Sequence, residues 1–162
     1  MKNIYLYLGL FILVASCSQE SNLQTNLQTN IQTNLQQSEI FLLSNSAKDG
    51  VISLEDGLQY VVIESGDINA SPPELADTIT AHFHGTLMDG TVFWSSVEMG
   101  DPLTIQLSQL ISGCQKIISK MRAGDLWRVF IHPSLAYGEE GRPTIPPNST
   151  LIFDIELINV DR

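Results

Sequence analysis

Positive charge is scarce in this chain: 8 Lys and Arg stand against 18 Asp and Glu, a formal net charge of −10 over 162 residues. No basic run occurs anywhere, so nucleic acid is excluded as a partner class, because phosphate binding needs a basic face. Cysteine is scarcer still. Two cysteines cannot form a disulfide framework. Long apolar runs are also missing: the longest, at residues 4–14, falls short of the ~20 residues that cross a bilayer. What remains is ordinary for one folded domain with an appendage, since 43% hydrophobic residues are enough for a core.

The N-terminus reads "MKNIYLYLGLFILVASC": a lysine, the short apolar run, then small residues before Cys17. This is the pattern of a secretory signal. "VASC" also resembles the bacterial lipobox, which implies that residues 1–16 are removed and that Cys17 becomes the acylated first residue. The expected localisation is the bacterial cell envelope, lipid-anchored at Cys17. Ser18 after the cysteine resembles the Gram-negative signal for the outer membrane facing the periplasm. Cys114 is then the one free thiol.

Residues 17–50 follow as the lipidated N-terminus and a low-complexity segment, "SNLQTNLQTNIQTNLQQSEI", with Leu23, Leu27, Ile31 and Leu35 four apart. That spacing suits a helical stripe, but Asn and Thr compete for backbone hydrogen bonds and form helices poorly. The segment reads as a polar tether, with a self-associating helix as the second reading.

From residue 51 to 162 the texture changes to alternating apolar and polar residues broken by Gly and Pro. Strands are predicted at Leu58 to Glu64, Thr78 to Leu87, "PLTIQL", "LWRVFI" and "TLIFDIELINV". The last places Leu151, Phe153, Ile155 and Leu157 on one face. "MDGT" predicts a hairpin, with Asp89 and Gly90 suited to positive backbone angles. Only "SQLISGCQKIISKMRAG" has helical period, through Ile111, Cys114, Ile117, Ile118 and Met121. Ser112 is its expected cap and Gly124 its expected stop. One short helix on an antiparallel sheet is an α+β architecture.

Four separated motifs, "GTLMDGTVFWSS", "PLTIQLSQLISG", "MRAGDLWRVFIHPSLAYGEEG" and "IPPNSTLIFDIELINV", resemble in order and spacing the FKBP-type peptidyl-prolyl isomerases. The bacterial macrophage infectivity potentiator branch is the most similar. There a longer helical dimerisation region usually stands where this chain has its Gln-Thr-Asn segment. The resemblance implies a curved, half-open antiparallel barrel wrapped on one helix, with an apolar cleft for a proline ring. It also implies peptidyl-prolyl cis-trans isomerisation of proline-containing clients that fold outside the cytoplasm, without cofactor or metal.

Carried over by position, Phe83, Phe93, Leu103, Ile105, Leu110, Ile111, Tyr137, Ile145 and Phe153 line this cleft. Tyr137 would donate its hydroxyl to a substrate carbonyl and Ile111 its backbone N–H. Four positions depart from the family pattern: Trp94 replaces an edge carboxylate, Cys114 a floor tryptophan, Phe83 a tyrosine and Leu103 a frequent phenylalanine. Trp94 is left as either a new wall or a cover for the hairpin. Reduced activity follows, and the second functional class is an FKBP-fold binding module or chaperone with little turnover. His82 and His84 flank Phe83, so strand parity turns them away from the cleft.

Overall fold

The computed structural model describes the backbone of residues 5–162 and the side chains of residues 23–162. Cleavage after residue 16 and the Cys17 side chain therefore lie outside what is described. The chain divides into two compact units, Met1–Thr33 and Asn34–Arg162.

The second unit is built on seven antiparallel strands: β1 (Ile52–Glu55), β2 (Leu58–Glu64), β3 (Thr78–Thr86), β4 (Val92–Ser95), β5 (Leu103–Gln106), β6 (Leu126–Ile131) and β7 (Leu151–Asp161). They pair in the order β1-β2-β6-β7-β3-β4, with β5 also on β3. β5 takes Thr78 to Ala81 of β3, and β4 takes His84 to Thr86. Both partners share one edge because α2 (Ser96–Met99) turns the chain back between them. Ser95 caps α2 by accepting the Glu98 N–H. Register shifts at Val62/Glu64, Thr80/Ala81 and Gly85/Thr86 bend the sheet, since each extra residue sharpens local twist.

The predicted α+β class and the five named strands hold to within one residue at each end, and β1 and β4 add to them. β7 alternates as its pattern requires, with Leu151, Phe153, Ile155 and Leu157 all buried. These pack with Leu58, Val129 and Ile131 against Ile117 and Ile118 of α3 (Ser112–Ile118). Each such fully buried side chain contributes about 1.5–3 kcal/mol.

Three local expectations are corrected. The residue flanking α3 is Ile111, and Ser112 sits inside the helix with its hydroxyl donating to the Leu135 carbonyl at 3.0 Å. The helix stops at Ile118, not Gly124. A tight turn follows, and the buried Asp125 carboxylate accepts the N–H groups of Arg122 and Gly66. The β3–β4 loop has five residues, 87–91: Gly90 alone among them has positive φ (87°), while Asp89 accepts the Thr91 N–H. That hydrogen bond also lowers the Asp89 pKa.

The tether reading departs most from what is observed. Helix α1 runs Tyr5–Asn45. Thr29 and Thr33 satisfy their hydroxyls on the carbonyls four residues earlier, at 2.8 Å each, which makes threonine tolerable there. Of the leucine stripe, Leu23 and Leu27 are exposed, while Ile31 and Leu35 are partly buried. A four-residue spacing drifts about 40° per repeat around a helix of 3.6 residues per turn. Within the second unit, Ser38, Leu42 and Asn45 are buried instead. Packing of this face outweighs the poor intrinsic propensity of its residues.

Candidate active site

One cavity of about 620 Å³ opens on the concave face of the sheet. Five elements converge on it, and each contributes for a local reason. Phe83 projects from β3 because alternation places it inward, at 2% exposure. Its neighbours His82 and His84 instead hydrogen-bond Ser96 and Ser95 through Nδ1, at 3.0 and 2.9 Å. Neither lines the cavity.

On β4, Phe93 and Trp94 are consecutive yet both line the cavity. The register explains this: Gly85 faces Trp94 and Thr86 faces Val92, so Phe93 is a bulged residue with no direct partner. Trp94 is thus a wall, its ring 6.0 Å from that of Phe83. Phe93 meets Phe153 of β7 edge-on at 5.4 Å and 88°, and Phe153 meets Phe83 edge-on at 6.2 Å. Gly85 makes room for this cluster. A Cβ there would stand 2.6 Å from the Phe93 ring and 2.8 Å from the Phe153 ring.

The floor is Cys114 of α3, 2% exposed, whose thiol burial pushes up to about 12. It stays protonated and presents a small apolar surface, not a nucleophile. Leu103, Leu110 and Ile111 close one side. Gln115 pins their connection by donating from Nε2 to the carbonyls of Ser108 and Leu110, at 3.0 and 2.7 Å. Ile105 does not line the cavity. It lies on the same face of β5 as Leu103 but two residues along, roughly 7 Å away, opposite the fully buried Ile79. There it packs into the core.

The remaining side is the loop between β6 and β7, which carries Tyr137 and Ile145. Backbone bonds hold it closed: Gly141 to Tyr137, Arg142 and Ile145 to each other, and Asn148 to Gly138 at 2.7 Å. From α1, the Ser38 hydroxyl donates to the Asn148 carbonyl and accepts the Thr150 N–H. Asn34 donates to the Pro147 carbonyl.

Among the cavity donors without a partner in the described residues are the Tyr137 hydroxyl and the Ile111 N–H. Gln109, Arg142 and Thr144 also line the cavity and were not anticipated. The signal available for the last two was their place in "GRPTIPP", a tight turn that must fold back beside Tyr137. No Asp, Glu or His lines the cavity. Chemically, this is an open, aromatic-walled cleft with free hydrogen-bond donors at its margin, suited to desolvating a ring and its adjoining carbonyls.

A family profile described as FKBP-type peptidyl-prolyl cis-trans isomerase matches residues 69–158, and one described as the domain amino terminal to it matches residues 12–62. "Peptidyl-prolyl cis-trans isomerase Mip" of Coxiella burnetii is 42% identical over 127 residues, covering 78% of this chain and 54% of the relative. "Outer membrane protein MIP" of Legionella longbeachae is 44% identical over 128 residues, with the same coverage of each. The crystal structure of FkpA from Escherichia coli superposes with a TM-score of 0.84 at 31% identity, covering 95% of this chain and 71% of that one. The chain spans about half the length of the curated relatives it matches.

Proposed function

The chain belongs to the FKBP-type peptidyl-prolyl cis-trans isomerases, and from that premise we propose that its own cleft catalyses this isomerisation on polypeptides that fold in the bacterial envelope. The observation that carries the reading is the aromatic cavity with unspent donors at Tyr137 and Ile111. An X-Pro bond rotates over a barrier of ~18–20 kcal/mol because the amide must lose resonance as it twists. No covalent bond breaks, so a protonated floor thiol and apolar walls suffice.

Phe83, Phe93, Trp94, Leu103, Leu110, Ile145 and Phe153 take the proline ring, with Cys114 beneath. Removing water from the carbonyl favours the less polar twisted amide. The Tyr137 hydroxyl and the Ile111 N–H hold the flanking carbonyls in that geometry. Binding that is tighter for the twisted form lowers the barrier. A 10⁴-fold acceleration needs about 5.4 kcal/mol of such differential binding. The test is NMR exchange of a Leu-Pro peptide with the purified chain. Acceleration supports the reading. Absence of acceleration with any X-Pro peptide, alongside suppressed aggregation of an unfolded client, leaves the FKBP-fold binding module instead.

Anchoring through an acylated Cys17 in the outer membrane, facing the periplasm, completes the proposal. It is supported by "VASC" and by a relative that bears the name of an outer membrane protein. Among the described residues no helix is long and apolar enough to cross a membrane. Palmitate labelling should vanish in Cys17→Ala, and the variant should leave the membrane fraction. Labelling that persists overturns the anchor.

A further inference from the structure

We infer that Arg142 makes the cleft selective for an acidic residue next to the proline, an assignment that rests on the isomerase reading above. In a protein of net charge −10, the cavity has a single charged side chain in its lining, and it is a cation. Its guanidinium carbon lies 4.6 Å from the centroid of the Tyr137 ring. Stacking of this kind fixes the planar head with little freedom left to lose.

The other arginines of the second unit are occupied. Arg128 pairs with Asp154, Arg162 with Asp77, and Arg122 donates to the Ala70 carbonyl. Arg142 has no carboxylate partner among the described residues, although Glu139 and Glu140 precede it in the same loop. Only Nη1 is used, on the neighbouring Gly141 carbonyl at 3.1 Å. A guanidinium offers five N–H donors, so most of its donors remain available.

Position sets what those donors meet. Tyr137 stands where the carbonyl beside the proline is to be held, so a cation on its ring lies beside the side chain of a flanking residue. The backbone bonds between Arg142 and Ile145, 2.8 and 2.9 Å, anchor Arg142 to the residue that forms a wall of the same cleft. A carboxylate there gains a charge-assisted hydrogen bond. A lysine or arginine at the same client position meets repulsion.

The experiment uses the full chain and protease-free NMR exchange on matched peptides with Glu, Gln or Lys before the proline, and Glu or Gln after it. An exposed ion pair predicts roughly two- to five-fold faster isomerisation for Glu than for Gln in at least one position. The ratio should shrink as salt is raised to about 1 M, where the screening length falls to ~3 Å. Arg142→Gln should bring the ratio to one, and Arg142→Lys should keep part of it. A wild-type ratio of one in both positions, or a ratio unchanged in Arg142→Gln, overturns the assignment while leaving the isomerase reading intact. Should no peptide be accelerated, the isomerase reading fails alone: chemical-shift titration of the same peptides still compares Glu with Gln binding, and equal affinities overturn the role of Arg142.

Discussion

The loop from Tyr137 to Thr150 is held between two unlike surfaces. On one side lie the aromatic walls of the cleft, whose polar groups at Tyr137 and Ile111 are left without partners. On the other lies the C-terminal part of α1, whose buried Ser38 and Asn45 side chains are hydrogen-bonded, while the adjacent Thr150 hydroxyl is buried without a partner. Ser38, with no exposed surface, both donates and accepts. Asn45 donates to Gln59, and Gln59 donates to the Leu42 carbonyl, at 3.0 and 2.8 Å. A hydrogen-bonded polar seam holds a shape. An unsatisfied apolar cleft is prepared for a ligand, because its donors gain most when a substrate removes them from water.

Breaking the cleft from within should have the largest effect. Phe153→Ala removes a ring that touches both Phe83 and Phe93 and is itself 6% exposed, so stability should fall by about 3–5 kcal/mol in urea unfolding. Substrate binding should fall with it. Breaking the seam comes next. Ser38→Ala leaves the Thr150 N–H and the Asn148 carbonyl facing a methyl group, at a cost of about 1–3 kcal/mol. A Ser38→Ala protein with wild-type unfolding free energy would mean that α1 does not hold the loop.

Sharper still is Tyr137→Phe, which keeps the ring and removes only the hydroxyl. The rate should drop roughly 2- to 13-fold, equivalent to ~0.5–1.5 kcal/mol, and the melting temperature should stay where it was. An unchanged rate would show that the hydroxyl does not reach a substrate carbonyl. The smallest effect is expected from His82→Ala and His84→Ala, whose rings bond serines away from the cavity. Their isomerisation rates should match wild type, and a tenfold loss in either would refute the parity argument.

Much of the cleft was legible because motifs and strand alternation are local. The resemblance implied Phe83, Phe153, Tyr137, Leu110 and Ile111 by motif position, and period two added that Phe153 shares a face with Leu151, Ile155 and Leu157 and that His82 and His84 turn away from Phe83. Ile105 was misplaced by the same resemblance: motif position gives the face but not how far along the strand the cavity extends. Trp94 could not be assigned because a bulge breaks parity, and nothing in "TVFWSS" marks which residue is the extra one. Arg142 was overlooked because a turn of Gly, Arg, Pro and Thr carries no period at all.

Composition and pattern alone determined the α+β class, five of the seven strands and the inward face of β7, since each depends on neighbours within a few residues. Tertiary structure decided the rest. Ser38 and Asn148 are 110 residues apart, and only the folded sheet brings them within 2.8 Å. The tether became a helix there because burial of Ser38, Leu42 and Asn45 outweighs the weak helix propensity of Asn and Thr, and that burial exists only once β2 and the loop before β7 have folded.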